Sequence, residues 1–337
     1  MAEKRAVSLF AAICAFCIAG IVSIVIWSRM QMSAVTDEAN TANPQLHQQT
    51  LADRLYFRHT AIGPDYGRLA FLEPGSEVTQ FHPSLSCEAV HASGGRGLCL
   101  SADRGVFTTY TAFAFDTETH QVLGEFELGG SPSRTRVSSD GRFAASTVFV
   151  TGHGYDSVDF STQTMLYDLE TMEPIADLET FTVLQDGEEI SREDFNFWGV
   201  TFPQDSGSFF ATLSTDGAHY LVKGETASRT ATVIHENVEC PSVSPDGTHI
   251  AFKRRKPKLG GVEWGIHVLR LADGAEVALA EERSIDDQLE WLDGENVLYS
   301  VPDQSTPAVI NVWSGRADGD GDVRLFLSGA YSPAVMR

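Results

Sequence analysis

The feature that most constrains this chain is a hairpin that keeps returning. Residues 240–255 (CPSVSPDGTHIAFKRR) read as strand, turn, strand. Pro245 presets φ for the turn, Asp246 bonds the nearby backbone, and Gly247 takes the positive φ that closes it. A second hairpin follows through Ala272-Asp273-Gly274, so four strands fit into a unit of roughly 45 residues. The unit recurs in RVSSDGRFAASTVFV (136–150), VTFPQDSGSFFATLS (200–214) and LEWLDGENVLYSV (289–301), and more loosely in CEAVHASGGRGLCL (87–100). First strands begin near residues 85, 131, 196, 238, 285 and 329, and the long gap after 131 places an insertion at 152–161 and 186–194. One four-stranded unit cannot bury both of its faces, so this recurrence points to blades packed around an axis.

The two ends of the body complete the count. The chain finishes on a lone first strand, 330–336 (AYSPAVM), while the body opens with DRLYFRHT, GRLAFLE and SEVTQFH, three strands lacking a first. Joined, they make one blade, and closing a ring this way removes its two exposed edges. The expected fold is all-β: a six-bladed β-propeller over 51–337, closed by pairing of the C-terminal strand with the N-terminal blade and preceded by one transmembrane helix.

That helix is expected at 6–27, an apolar run of 22 residues without a charge. At ~1.5 Å per residue it reaches roughly 33 Å, enough for a hydrocarbon layer of ~30 Å. A secretory signal has an apolar core of only about 7 to 15 residues. Here the run is longer, ends on Trp27 and is followed by Arg29, which reads as an uncleaved anchor; secretion after signal cleavage is the alternative. Cys14 and Cys17 read as small apolar membrane residues. Lys4 and Arg5 precede the span, so 1–5 is a cytoplasmic tip, 28–50 a polar extracytoplasmic linker, and the propeller lies outside. With 46 acidic against 24 basic side chains, a net charge of −22, the chain lacks what phosphate neutralisation requires, and nucleic acid is excluded as a partner.

The Ser-Pro-Asp-Gly turn followed by Ile-Ala-Phe, with decayed copies at 138–141, 203–207 and 292–294, resembles the repeat of the TolB-type β-propellers, extracytoplasmic relatives of WD-repeat propellers. The resemblance implies a platform that binds a protein or another cell-envelope ligand. No cofactor is expected from it.

Catalytic readings are testable on the same residues. A propeller peptidase similar to prolyl oligopeptidase carries a Gly-x-Ser-x-Gly elbow, which this chain lacks. A propeller hydrolase or lyase with a metal ion in its central channel is the alternative function, and it would place acids or histidines at one channel mouth. Aligning the first strands puts Ser133, Trp198, Glu239 and Asp287 at equivalent positions near one mouth, with Arg134 beside them. Arg134, Trp198, Glu239 and Asp287 are therefore the candidate ligand-binding residues, ordinary loop ends being the other reading.

Three further motifs read as structure. The run at 317–323 (ADGDGDV) opens like a calcium loop but has Val323 where glycine is needed, and it reads as a turn. The basic run at 253–258 (KRRKPK) reads as a solvated loop or a contact for an acidic polymer, headgroup or partner. His153 reads as a loop histidine.

The cysteines yield a definite pairing. Setting Cys87 opposite Cys99 also sets His91 opposite Gly95 and leaves Ala92, Ser93 and Gly94 as a three-residue loop. Opposed residues at such a site lie within disulfide range, so a Cys87–Cys99 bridge is expected in an oxidising compartment, with Cys240 a buried free thiol.

Overall fold

A computed structural model describes Gly20, Ser23, Leu46 and residues 51–150, 161–204, 207–259 and 261–337. Apart from Gly20 and Ser23, the expected transmembrane segment 6–27 lies outside the described residues, as does His153. Among the described residues no helix is long and apolar enough to cross a membrane.

The strands follow the turn chemistry in chain order. The first three are β1 (Arg54–His59), β2 (Arg68–Leu72) and β3 (Gln80–Ser86). Then come β4 (Ala89–Ser93), β5 (Arg96–Arg104), β6 (Thr108–Asp116) and β7 (Val122–Glu127), followed by β8 (Ser131–Val137), β9 (Phe143–Val150), β10 (Ser161–Asp168) and β11 (Glu173–Asp177). After the short hairpin β12 (Thr182–Gln185) and β13 (Glu188–Ile190) come β14 (Asn196–Thr201), β15 (Ser208–Thr215), β16 (Ala218–Glu225) and β17 (Thr230–Glu236). The last two sets are β18 (Glu239–Val243), β19 (His249–Lys258), β20 (Gly261–Arg270), β21 (Glu276–Ala278), and β22 (Glu290–Trp291), β23 (Asn296–Pro302), β24 (Ile310–Arg316), β25 (Arg324–Leu327), with β26 (Ala330–Met336) closing the chain.

These strands form six sheets. Blade 1 is ordered β26-β1-β2-β3, so the last strand of the chain is the innermost strand of the first blade. Arg54 pairs with Met336, Leu55 with Val335 and His59 with Ala330, which is the expected ring closure. Blades 2 to 6 begin on β4, β8, β14, β18 and β22, and these inner strands touch in sequence around the axis until β22 meets β26. The core is divided the same way. Tyr56 and Leu69 pack with Val90 and Cys99, Leu98 with Val137 and Tyr167, and Leu166 with Phe197 and Phe209. Leu221 packs with Ile250, Ile266 with Leu289, and Leu298 with Leu55 and Phe57. Each buried cluster thus fills the seam between two neighbouring blades, where flat sheets with apolar residues on both faces must find a partner.

Three local expectations change. The insert at 186–194 does not belong to the third blade: β12 and β13 extend the fourth, with β12 parallel to β17. The basic run at 253–258 is not a loop; it is the far half of β19, paired with β20 out to Lys258 opposite Gly261. The Cys87–Cys99 disulfide is present with Cα atoms 5.4 Å apart, but the hairpin register differs from the expected one. Cys99 faces Val90, Ser93 faces Arg96, and Cys87 lies ahead of β4. The cause is the turn: Gly94 and Gly95 both take positive φ, 55° and 83°, which makes a tight two-residue connection. Gly94 is also required by packing, because a Cβ there would lie 2.2 Å from the backbone nitrogen of Gly141 in the next blade's turn. Cys240 is a buried free thiol, and residues 317–323 form the turn between β24 and β25.

Candidate functional site

Every inner strand runs along the channel in the same sense, from what we term the start face to the turn face, where the first hairpin of its blade closes. The four residues singled out in the sequence gather at the start face. Gly199 shapes this region: its positive φ of 66° bends β14, and a Cβ there would meet the Cα of Cys240 at 2.7 Å.

Arg134 donates from Nε to Cys240 Sγ at 3.0 Å and from Nη2 to Asp286 Oδ1 at 3.2 Å, reaching from blade 3 across the channel mouth. Lys253 of blade 5 also pairs with Asp286 and lies 3.9 Å from Glu239. Glu239 is buried, accepts from the Trp264 indole at 3.1 Å and lies 3.5 Å from Arg255. Arg255 in turn reaches His219, whose ring meets Trp198 edge-on at 5.4 Å. Trp198 and Asp287 are buried as well, and Asp287 accepts from the amides of Gln288 and Ser300, 2.8 and 2.9 Å away.

The charges at this mouth are set by burial against pairing. Burial pushes the Asp287 carboxyl up, whereas for Asp286 the same tendency is overcome by Lys253 and Arg134, and its carboxyl is held low. Burial works against the Arg134 charge too, yet Cys240, Tyr331 and the two aspartates raise its pKa. The arrangement is an ion-pair bar across the start face. Below it the channel narrows to a void of about 20 Å³ beside Ser133, Arg134 and Tyr331.

A larger channel cavity lies at the turn face, away from the four residues singled out in the sequence. A funnel of about 140 Å³ is lined from all six blades, by Arg337, His91, Arg136, Thr201, Ser242 and Glu290 among others. Its floor is one charged cluster. Arg136 pairs with Glu290 and donates to Ser242 Oγ at 3.1 Å and to the Leu289 carbonyl. His91 Nε2 lies 3.5 Å from Glu290, and His91 Nδ1 accepts the Val137 amide at 3.1 Å. Glu290 Oε1 takes the Val335 amide at 3.3 Å and lies 3.9 Å from Arg337. Burial alone would raise the Glu290 carboxyl, but Arg136 first, then His91 and Arg337, hold it at about 2. Burial and Arg136 keep the His91 ring neutral by lowering its pKa. The rim is built from first-hairpin turns: Ser139 donates to the Gln204 carbonyl at 3.5 Å, and Gln204 to the Pro245 carbonyl at 2.6 Å.

Arg136 carried a signal that could have been used. It stands two residues after Arg134 on β8, and residues at i and i+2 point to the same side of a strand. Among the described residues no group of three or more His, Cys, Asp and Glu is placed to hold a metal ion.

No family model matches this chain, and no curated protein matches its sequence. Solved structures match in fold. TolB from Acinetobacter baumannii superposes over 86% of this chain and 68% of its own with a TM-score of 0.59 at 15% identity. A TolB candidate from Agrobacterium tumefaciens covers 86% and 94% of the two chains, with a TM-score of 0.50 and 14% identity. A chain of the nidogen/laminin complex covers 84% and 97%, with a TM-score of 0.52 and 11% identity. The fold is therefore that of a TolB-like six-bladed β-propeller, and at these identities the likeness concerns fold alone.

Proposed function

We propose that this chain is a single-pass membrane protein that displays its propeller outside the cytoplasm as a binding platform for a protein or another cell-envelope ligand. The observation that carries the reading is the turn-face funnel. All six blades contribute to it, and its buried charges are already paired with one another. Such a floor supports recognition by shape and rim contacts, whereas acid–base chemistry calls for a group left poised to transfer a proton. The likeness to a propeller within the nidogen/laminin complex accords with a protein ligand.

Crosslinking of the full chain in native membranes, followed by pull-down, tests the platform. A partner captured by the wild type and lost from the rim variants Ser139→Arg and Gln204→Arg supports it. Stoichiometric metal in the purified full chain, with turnover that survives those rim changes, would favour the metal-dependent hydrolase or lyase instead. Topology is tested separately: the anchor predicts that 1–27 stays on the mature protein and that protease added to intact spheroplasts digests the body beyond residue 51. An N-terminus beginning after Met32 would sink it.

A further inference from the structure

The start face carries large apolar side chains where solvent would surround them. In blade 2 the hairpin β5–β6 runs four residues past the pairing of Leu100 with Ala89, the start of the inner strand, and ends on Val106 and Phe107, 96% and 83% exposed. In blade 5 the hairpin β19–β20 runs five residues past the pairing of Lys253 with Glu239 and ends on the fully exposed Leu259. At ~3.3 Å per residue these tips stand roughly 13 and 16 Å above the channel mouth. In blade 4 the equivalent hairpin stops one residue past the inner strand's start. In blade 1 strand pairing ends at His59 opposite Ala330 and residues 60–67 make the connection, and in blade 6 β23 runs four residues past the pairing of Leu298 with Glu290, to Pro302.

Blades 2 and 5 face each other across a six-membered ring, so the two tips stand on opposite sides of the same mouth, where one flat surface can meet both. Blade 1 adds Tyr66 on the same face, 41% exposed. Each projecting tip carries cations beside its apolar residues, in a chain of net charge −22: Arg104, ion-paired with Glu88, in one, and Lys256 together with Lys258, the latter ion-paired with Glu263, in the other. Most other exposed large apolar side chains among the described residues lie elsewhere: Val122, Leu123 and Val277 on outermost strands, Ile234 on β17, and Val78 on the turn face.

The path of the chain supplies the direction. Leu46 pairs antiparallel with Leu327 at the end of β25, a strand that runs toward the start face. The chain therefore passes through Leu46 heading from the start face toward the turn face, where Leu51 accepts the Gly75 amide at 3.0 Å. Only residues 28–45 separate Leu46 from the apolar run 6–27. Even fully extended they span no more than about 65 Å.

We propose that the start face lies against the lipid bilayer, with Val106, Phe107 and Leu259 set into the headgroup layer and the funnel facing away from the membrane. Apolar tips flanked by cations are the chemistry of an interfacial contact, with aromatic and aliphatic groups entering the headgroup boundary while Lys and Arg meet lipid phosphate. The proposal rests on the anchored reading for the source of the bilayer, and its test separates the two.

Benzoylphenylalanine placed at position 107, 259 or 78 of the full chain, reconstituted into phosphatidylcholine and phosphatidylglycerol vesicles, reads the contact directly. Photolysis is expected to give lipid adducts at 107 and 259 and not at 78, an exposed apolar position on the opposite face. Equal labelling at 78, no lipid adducts at the tips, or adducts only to a second copy of the chain would overturn it. In Phe107→Asp/Leu259→Asp protein, lipid labelling from a probe at position 303, beside the same mouth, should fall about tenfold while the melting temperature holds. Unchanged labelling at 303 would also overturn it. Alkaline carbonate extraction reports the anchor alone: if it releases the chain, the anchor fails, and lipid adducts at 107 and 259 still decide the docking face.

Discussion

Replacing Glu290 by glutamine removes a charge and little else, which isolates what the funnel floor contributes. In the wild type the Arg136 guanidinium is buried with Glu290, the Ser242 hydroxyl and the Leu289 carbonyl as partners, and its Nε has none. With Glu290→Gln the guanidinium keeps only neutral acceptors, the glutamine carbonyl among them, and no counter-charge, and breaking a buried pair on one side costs about 3–5 kcal/mol. The pair joins blade 3 to blade 6 across the channel, so the loss falls on the whole ring. For a domain of this size 1 kcal/mol corresponds to roughly 2 °C, which gives a drop on the order of 5–10 °C by calorimetry or circular dichroism. The double variant Arg136→Met/Glu290→Leu removes both charges and should recover to within about 1 kcal/mol of the wild type. A Glu290→Gln protein that melts within about 2 °C of the wild type would refute the argument. So would a double variant no more stable than the single one.

Three further outcomes follow from the same structure. Thiol labelling of the denatured, unreduced chain should find Cys14, Cys17 and Cys240 but not Cys87 or Cys99; Cys87→Ser/Cys99→Ser, which opens a loop of separation 12, should cost about 3 kcal/mol. Deleting 330–337 removes the buried Ala330, Ala334 and Val335 with the whole β1–β26 ladder, so the entire domain and not its tail should destabilise; a cooperative melt within a degree or so of the intact chain would rule closure out. Acid should weaken the fold well before Glu290 titrates. Burial lowers the ring pKa of His59, His91, His219 and His267 and takes His82 to about 4. Each ring takes up its proton at lower pH when folded than the value of about 6.5 it has when unfolded, so stability falls as pH drops below about 6.5, the His82 contribution being lost by about 4. Denaturant midpoints that match at about pH 7 and about pH 5 would contradict this.

The six blades and their closure were legible because a turn such as Ser244-Pro245-Asp246-Gly247 is local chemistry, and counting its copies needs no knowledge of packing. The disulfide was legible as a pairing but not as a register, since Gly94 and Gly95 permit both two- and three-residue loops and only contact with Gly141 fixes the tighter one. The candidate site divides similarly. Strand alignment brought Arg134, Trp198, Glu239 and Asp287 to one mouth, where the structure ties the first three into a network and seats Asp287 beside it. The funnel depends on which blades stand opposite each other. The partnership of Arg136 with Glu290 spans 154 positions and leaves no local trace.

The bridge between Leu46 and Leu327 fixes where the body takes up mechanical load. Leu46 packs with Leu51, Leu327 and Val335 in the seam between blades 6 and 1, the seam in which the ring is also closed. A pull applied through the segment ahead of Leu46, toward the start face, acts along the direction of β25 and loads this contact in shear. Leu51, held by Gly75, stands next in line before the β1–β26 ladder. Hauling point and clasp coincide, so tension on the chain is borne first where the two ends of the propeller are fastened together.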